Sequence, residues 1–234
     1  MTNQKVVLAR QRLRTPRAAA VAGILFAVLF FISIILLRLA LPEDLAGPDA
    51  AAWLKSNTEP LSLALTMVPF AGIAFLWFMG VVRAHLGKLE DQFFSSVMFG
   101  SGLLFLAMIF AAAAIAGGII VSYGVAADKL IENGVVTFGR AIMYTITNVY
   151  AIRMAGVFMI SLGTIWIQTR AVPRPFVFIT YALALLLLVT ISFSLWMIMI
   201  FPVWVFVISV YILRESWRGK EAEAEGIVGS GDAP

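Results

Sequence analysis

The sequence has few of the residues that carry redox, metal and covalent chemistry. Its 234 residues include no cysteine and one histidine, His85. The missing thiols exclude disulfide bonds, zinc–thiolate sites, iron–sulfur clusters and a cysteine nucleophile. A single histidine cannot form a bis-histidine haem site or a multi-histidine metal site within one chain. We therefore expect no cofactor and no bound metal.

Charged residues are also scarce, at 13% of the chain, whereas apolar residues make up 62%. A typical soluble domain has about 25% charged and about 45–50% apolar residues. A soluble fold of this size could not bury so much apolar surface. The sequence therefore predicts an integral membrane protein of the cell membrane, with the lipid bilayer as its partner. The net charge of +4 reflects membrane topology and does not indicate a nucleic-acid partner.

Long apolar runs predict an all-α, polytopic bundle of six transmembrane helices. A spanning helix needs about 20 mostly apolar residues to cross about 30 Å of hydrocarbon. Residues 176–213 would form a single helix about 57 Å long, so two helices with a turn at Ser192-Phe193-Ser194 fit this run better. Without that turn, the count is five. The six predicted spans are residues 18–41, 60–82, 95–122, 145–168, 176–192 and 195–213.

The distribution of lysine and arginine predicts the orientation of this membrane domain, residues 18–214. With six spans, twelve basic residues lie on one side and three, Lys55, Lys129 and Arg140, lie in the opposite loops. The positive-inside rule therefore places both termini in the cytoplasm. Residues 1–17 form a basic cytoplasmic segment. Residues 215–234 have little apolar surface to bury, so we expect a short helical extension and then a flexible tail.

Tryptophans mark the same boundaries, because indole rings favour the membrane–water interface. Trp77, Trp166 and Trp217 fall at predicted cytoplasmic helix ends, and Trp53 and Trp196 fall at the outer boundary.

The predicted spans lack the groups that coupled transport and catalysis require. No Asp, Glu or Lys lies inside a span. Ion-coupled carriers place a carboxylate near the midplane, and a retinal protein needs a buried lysine. The chain also lacks a Walker A loop and the GxGxxG, GxSxG and HExxH motifs. These absences favour a protein without enzymatic activity.

Three residues are candidates for ligand binding: Arg153, Asn148 and Arg38. Arg153 lies about 24 Å from the cytoplasmic end of the fourth span. A charge at that depth costs a few kcal/mol, which indicates either a ligand site or a side chain that snorkels or is hydrogen-bonded structurally. Arg38 lies close to the end of the first span, where its side chain can snorkel outward.

Asn148 belongs to a polar patch with Thr145 and Thr147 in the fourth span. The spacing of three predicts that Thr145 and Asn148 share a helix face. Helical geometry separates Asn148 from Arg153 by about 140°, so the two are not expected to form one site. Joining helices is the structural alternative for such residues.

Small residues recur at spacings that let helix backbones approach closely. In the third span Ala113 precedes Gly117 and Ala114 precedes Gly118, and in the fourth Gly156 precedes Gly163 by two turns. The pattern predicts close packing inside the bundle and, more weakly, a homo-oligomer.

Two stretches resemble a family of uncharacterised six-helix bacterial membrane proteins. One stretch is Asn148-Val-Tyr-Ala-Ile-Arg153-Met-Ala-Gly-Val-Phe-Met-Ile-Ser161, followed by Arg170-Ala-Val-Pro-Arg174. The other runs from Leu76-Trp77-Phe-Met-Gly80 to Phe93-Phe94 through the loop that contains Glu90 and Asp91. The resemblance covers most of residues 60–213. It implies that Arg153 and the Glu90-Asp91 loop are family features, and it implies no activity.

These observations leave three hypotheses for function. The first is a membrane module that binds a lipid, a hydrophobic small molecule or a partner membrane protein. The second is a passive pore or uncoupled transporter, with Arg153, Arg38 and Asn148 lining an outward vestibule that favours anions. The third, an enzyme acting on lipid headgroups, is the least favoured because it needs clustered carboxylates and the predicted cytoplasmic face offers few. A polar cavity reaching Arg153 would favour the second hypothesis, and a closed bundle would favour the first.

Overall fold

The chain folds into a bundle of α-helices. The computed structural model describes residues 2–40, 58–86, 92–170, 172–190 and 196–229, and these contain no β-strand. A short π-helical segment, Ile146–Ala151, joins α4 to α5 and is called the π turn below. The helices are α1 (Thr2–Ala40), α2 (Thr58–Leu86), α3 (Gln92–Glu132), α4 (Val135–Thr145), α5 (Ile152–Thr169), α6 (Arg174–Val189) and α7 (Trp196–Gly229).

Among the described residues, five segments are long and apolar enough to cross a membrane, which confirms the prediction of a membrane helix bundle. They are Arg17–Leu37, Glu59–Ala84, Gln92–Ser122, Val135–Thr169 and Trp196–Trp217. The predicted fifth span is the shorter helix α6, whose 16 residues measure about 24 Å. The run at 176–213 is therefore divided into two helices, as expected. Ser192, Phe193 and Ser194 lie outside the described residues.

A hydrogen-bonded contact brings the start of the first spanning segment to the end of the last. Arg17 donates from Nε to Ser216 Oγ at 3.0 Å and from Nη2 to the Ser216 carbonyl at 3.3 Å. We call this side the terminal end of the bundle and the opposite side the distal end. Because both spanning segments meet at one end, the chain crosses an even number of times, so α6 belongs to a sixth crossing. Six spans therefore fit better than five.

Several helices extend beyond the predicted spans. Helix α1 begins at Thr2, inside the predicted basic segment, and α7 continues to Gly229. Gly134, with a φ of 67°, makes the tight turn from α3 into α4, a conformation that glycine adopts without a Cβ clash. The stretch from Val135 to Thr169 forms one rod that includes the π turn and contains the predicted fourth span, residues 145–168. The flexible tail stays a prediction.

The centre of the bundle is filled by one phenylalanine from each of the five long segments. This phenylalanine cluster consists of Phe26, Phe75, Phe105, Phe158 and Phe201, all at most 1% exposed. Ring centroids lie 4.7 Å apart for Phe26–Phe75 and for Phe105–Phe201, and 5.4 Å apart for Phe75–Phe158. Aromatic pairs at such distances contribute about 0.5–1.5 kcal/mol each beyond their burial. The cluster closes the interior with apolar rings.

One tryptophan departs from the predicted interfacial belt. Trp77, Trp196 and Trp217 are exposed, as a belt requires, but Trp166 is 4% exposed. Its ring packs on Trp204 with centroids 5.8 Å apart, so the prediction for Trp166 is wrong. The last turn of α5 places this ring on the face that meets α7, where core packing outweighs the interfacial preference.

The small-residue prediction holds at one interface and fails at another. A Cβ on Gly156 would lie 3.1 Å from the carbonyl oxygen of Ala184 in α6, so the backbones of α5 and α6 approach closely there. A Cβ on Gly117 would meet its nearest atom at 3.8 Å, and a Cβ on Gly118 would meet nothing within 4 Å. The pairs in α3 therefore do not mediate close packing within the chain.

Candidate functional site

The π turn interrupts the fourth spanning rod near the middle of its length. The N–H of Ile152 donates to the carbonyl of Thr147, five residues back, instead of the usual four. The local sequence, Ile146-Thr-Asn-Val149, consists of β-branched residues and an asparagine, which are weak helix formers. Single π turns are rare and occur frequently at functional sites. This turn is therefore where a candidate site is sought.

Arg153 is bonded to the backbone of its own helix. Its Nη1 donates to the carbonyl oxygen of Val149 at 2.5 Å, so the guanidinium reaches back one turn towards the distal end. Val149 belongs to the π turn, so this bond supplies a charged donor to a carbonyl of the irregular segment. A hydrogen bond to a charged group is worth about 1.5–3 kcal/mol. This geometry matches the structural alternative for Arg153.

Asn148 is the least satisfied polar residue of the rod. It is 2% exposed, and neither Oδ1 nor Nδ2 has a hydrogen-bond partner among the protein atoms. An unsatisfied buried polar group costs about 1–3 kcal/mol. Native structures contain few such groups, and each one requires an explanation. Asn148 therefore has unused capacity for one acceptor and two donor interactions.

The predicted polar patch is divided by the π turn. Thr145, just before the turn, is exposed, whereas Thr147 and Asn148 are buried. The prediction that Thr145 and Asn148 share a face is wrong, because the wider turn changes the angle between them. Thr147 and Asn148 both face the protein interior.

A cavity of about 50 Å³ lies beside the π turn, in the distal half of the bundle. It is bounded by α1, α2, α3 and α4 and is partly open to the bundle surface. Thr147, Ser33 and Tyr144 are the residues with polar side chains among those that line it, and Ser33 Oγ donates to the carbonyl of Leu29 at 2.8 Å. We call it the distal cavity. Its apolar lining is Phe30, Ile34, Leu37, Leu65, Val68, Ile109, Ala112, Ala113, Ala116 and Met143.

The distal cavity separates two parts of the hydrophobic core. The main core, which contains the phenylalanine cluster, lies on one side. On the other side, Ala112, Ala116 and Met143 form a small separate cluster. Small alanines on α3 leave room that larger side chains would fill. The cavity therefore follows from residue sizes on one helix face.

A second cavity, of about 530 Å³, is a wide groove on the outer surface between α1 and α2. It is lined by apolar side chains and Thr66, whose Oγ1 donates to the carbonyl of Ser62 at 2.9 Å. Exposed Phe70 and Trp77 form part of its wall. In a bilayer such a surface is in contact with lipid tails.

The structure does not bring the three predicted ligand residues together. Asn148 makes no hydrogen bond to Arg153, and Arg153 lines neither of the two cavities. Arg38 lies in α1, and its side chain is outside the described part of the chain. Within the described residues, no three side chains of His, Cys, Asp and Glu come together to hold a metal ion. The side chain of His85 also lies outside the described part.

Sequence reasoning missed the contribution of Ser33 and Tyr144 to the distal cavity. Tyr144 lies three residues before Thr147 on the same rod, a spacing that could have indicated it. Ser33 lies on α1, and nothing in the sequence relates it to Thr147. The run of weak helix formers at Ile146–Val149 is the signal that could have indicated a local irregularity.

No known protein family, curated protein or solved structure matches this chain. The resemblance to the six-helix bacterial family therefore stays a prediction. Glu90 and Asp91, which belong to that resemblance, lie outside the described residues.

Proposed function

We propose that this protein is a membrane module without enzymatic activity that binds an amphiphilic molecule, either a bilayer lipid or a hydrophobic small molecule. The observation that carries the proposal is the distal cavity, which is partly open and almost wholly apolar, with Ser33, Tyr144 and Thr147 among the residues that line it. Ligand sites are typically concave and apolar, with a few polar groups that fix orientation. A void of about 50 Å³ accommodates only one apolar end of such a molecule, and the remainder would lie along the helix surface among the lipids.

The packing of the centre argues against the pore hypothesis. A water-filled route along the bundle axis would have to pass the phenylalanine cluster. The five side chains of this cluster are at most 1% exposed, so they are packed against protein and not against water. The pore hypothesis requires Arg153 to line an outward vestibule. Arg153 instead donates a hydrogen bond to its own helix and borders neither cavity. These two observations favour a closed bundle that binds at its side.

The orientation of the site follows from the topology proposal. If both termini are cytoplasmic, as the basic residues predict, the distal cavity lies in the outer half of the cell membrane. Its ligand would then enter from the outer leaflet, between α1 and the fourth rod. The almost wholly apolar lining suits a molecule that arrives through the bilayer and not from water.

The proposal is tested by filling the cavity. Ala116 lines it and is 6% exposed, so Ala116→Val places two more carbons in the void. Ala114 is one half-turn away on α3 and is exposed, so Ala114→Val is the matched control. Each protein is purified in mild detergent, and retained lipids and small molecules are measured by mass spectrometry.

We expect the wild type and Ala114→Val to retain an amphiphile at close to one per chain, and Ala116→Val to retain less than a third of that amount. Equal retention by both variants would refute binding in the distal cavity. Recovery of a stoichiometric protein in place of an amphiphile would favour the partner-protein hypothesis instead.

A further inference from the structure

Arg153 carries a charge that the described part of the chain does not balance. The stretch from Asn133 to Arg214 contains five arginines and no Asp, Glu or Lys. Among the described residues, the hydrogen bond to the carbonyl oxygen of Val149 is the only polar contact of the Arg153 side chain. A charge inside a membrane-spanning segment is costly, so it normally has a partner and marks a functional site.

The position of Arg153 along its helix sets its depth in the membrane. It precedes Thr169, the last residue of α5, by 16 residues, which is about 24 Å. Exposed Arg170 and Arg174 follow Thr169 and mark the edge of the hydrocarbon there. The hydrocarbon is about 30 Å thick, so Cα of Arg153 lies about 6 Å inside its opposite edge. The hydrogen bond to Val149 directs the guanidinium back by one turn, about 5 Å, to that edge.

The guanidinium has donors left for a ligand at this depth. It carries five N–H groups, of which the bond to Val149 uses one. Arg153 is partly exposed at the surface of the bundle, whereas Ile152 and Ala151 before it are buried. The bond to Val149 therefore holds in place a cation that a molecule in the bilayer can reach.

Tyr150 lies beside Arg153 on the same helix face. Ala151 and Ile152, which connect the two residues, have ordinary α-helical backbone angles, so the π turn does not disturb this spacing of three. Tyr150 is 56% exposed. Tyrosine favours the membrane interface, where its ring contacts lipid and its hydroxyl meets polar groups. An arginine and a phenolic hydroxyl are therefore placed together at the edge of the hydrocarbon.

We infer that Arg153 and Tyr150 bind the phosphate group of a phospholipid in the leaflet at the distal end of the bundle. The headgroup layer begins at the edge to which the guanidinium is directed. The planar guanidinium can donate two parallel hydrogen bonds to phosphate oxygens, and the tyrosine hydroxyl can donate one more. A phospholipid bilayer supplies this counter-charge at the right depth.

This site is separate from the one in the proposed function. Neither Arg153 nor Tyr150 lines the distal cavity. An amphiphile in that cavity and a phospholipid at Arg153 therefore occupy different surfaces, and either can be lost without the other.

The test uses a phosphatidylglycerol analogue with a diazirine in its headgroup, which is bound to the full chain in nonionic detergent, irradiated and mapped by mass spectrometry of peptides. Three unlabelled competitors are compared. Dioleoylphosphatidylglycerol has the phosphate and the chains, dioleoylglycerol has the same chains without phosphate, and glycerol 3-phosphate has the phosphate without chains. The readout is the concentration of each competitor that halves the adducts on residues 146–157, so arginines at the terminal end do not contribute.

We expect dioleoylphosphatidylglycerol to halve the wild-type adducts at a concentration about tenfold lower than dioleoylglycerol does, as one hydrogen-bonded charge pair supplies. Arg153→Met should bring the two concentrations to within about twofold, and Arg153→Lys, which keeps the charge without the planar fork, should leave a ratio of about threefold. Tyr150→Phe should lower the ratio to about threefold through the loss of one neutral donor. Arg140→Gln changes another arginine of the same rod and is the matched control, which should keep the wild-type ratio.

The ratio separates recognition of phosphate from a structural role of Arg153, because loss of helix stability weakens both lipids alike. If Arg153→Met does not fold, Arg153→Lys and the exposed Tyr150→Phe provide the same comparison. An unchanged ratio in these variants would refute the roles of the two residues.

The wild-type protein alone can also overturn the inference. Equal competition by dioleoylphosphatidylglycerol and dioleoylglycerol would refute recognition of the phosphate. Competition by glycerol 3-phosphate as effective as that by the phospholipid would indicate a site for free phosphate and refute the lipid. An absence of adducts on residues 146–157 would refute the site and leave an acidic side chain of a partner helix as the counter-charge. None of these outcomes depends on whether an amphiphile binds in the distal cavity.

Discussion

The contact between Gly23 and Ser209 gives a sharp test of how α1 packs against α7. A Cβ on residue 23 would lie 2.0 Å from Ser209 Oγ and 2.9 Å from Cδ2 of Phe78. Ser209 is fully buried and its hydroxyl has no partner. Gly23→Ala therefore forces a methyl group into a filled interface. Ser209→Ala removes the hydroxyl oxygen that lies nearest to the new Cβ.

The expected magnitude follows from two opposing effects. Overpacking costs about 1–3 kcal/mol, whereas replacing glycine by alanine inside a helix gains about 0.5–1 kcal/mol. Gly23→Ala should therefore destabilise the protein by about 1–2 kcal/mol. Gly118→Ala, where a Cβ meets nothing within 4 Å, is the control and should be neutral or stabilising.

The double variant measures the coupling between the two positions. Ser209→Ala alone should be neutral or slightly stabilising, because it removes an unsatisfied buried hydroxyl. In its background, Gly23→Ala should cost about 1 kcal/mol less than in wild type, a coupling typical of residues in contact. The destabilisation by Gly23→Ala that remains in this background comes from the close contact of the new Cβ with the Phe78 ring. Reversible unfolding in mixed detergent–SDS micelles gives the four free energies.

A coupling close to zero would refute this packing of α1 on α7. The same result would follow if Gly23 faced lipid, in which case Gly23→Ala and Gly118→Ala would behave alike. Either outcome would also remove the argument that the two ends of the membrane domain meet, since Arg17 and Ser216 continue the same helix pair.

Three further predictions concern other parts of the bundle. Thr180→Val should destabilise by about 1 kcal/mol in the same unfolding assay, because it leaves the buried Nε1 of Trp204 without its 2.9 Å acceptor; an unchanged stability would contradict this hydrogen bond. Gly134→Ala should cost about 1–2 kcal/mol from backbone strain alone, since φ is 67° and the position has open space; a neutral effect would contradict the left-handed turn. Because the chain has no cysteine, Asn133→Cys and Arg174→Cys report topology directly: an impermeant maleimide should label the first in intact cells and the second only after permeabilisation, and the reverse pattern would overturn the proposed orientation.

The fold was largely predictable because the bilayer sets the length of an apolar run. The spans found at Arg17–Leu37 and Glu59–Ala84 lie within a few residues of those expected from hydropathy. The division of residues 176–213 followed from length alone, since one helix would have been nearly twice as long as the membrane is thick. These features depend on local sequence and on a fixed solvent thickness.

Features that depend on which helix face meets which neighbour were not predictable. Gly156 and Gly117 look alike in the sequence, yet only Gly156 faces the backbone of another helix. Trp166 was assigned to the interface by its position near a helix end, but tertiary contacts turn it inward. The π turn also changed the relation of Thr145 to Asn148, because a regular period of 3.6 residues no longer applied. The small alanines of α3 mark one wall of the distal cavity, but the sequence of that helix does not show which other helices complete the lining.

The central claim, that an amphiphile binds in the distal cavity, is tested most directly by photo-crosslinking. A monoolein analogue with a diazirine near the end of its chain is bound to the full-length protein, irradiated and mapped by mass spectrometry of peptides. We predict that adducts concentrate on the cavity lining, at residues 109–116 of α3 and around Thr147, and that Ala116→Val reduces them while Ala114→Val does not. Adducts spread over all exposed helix faces, or concentrated at Phe70 and Trp77 in the outer groove, would contradict the account.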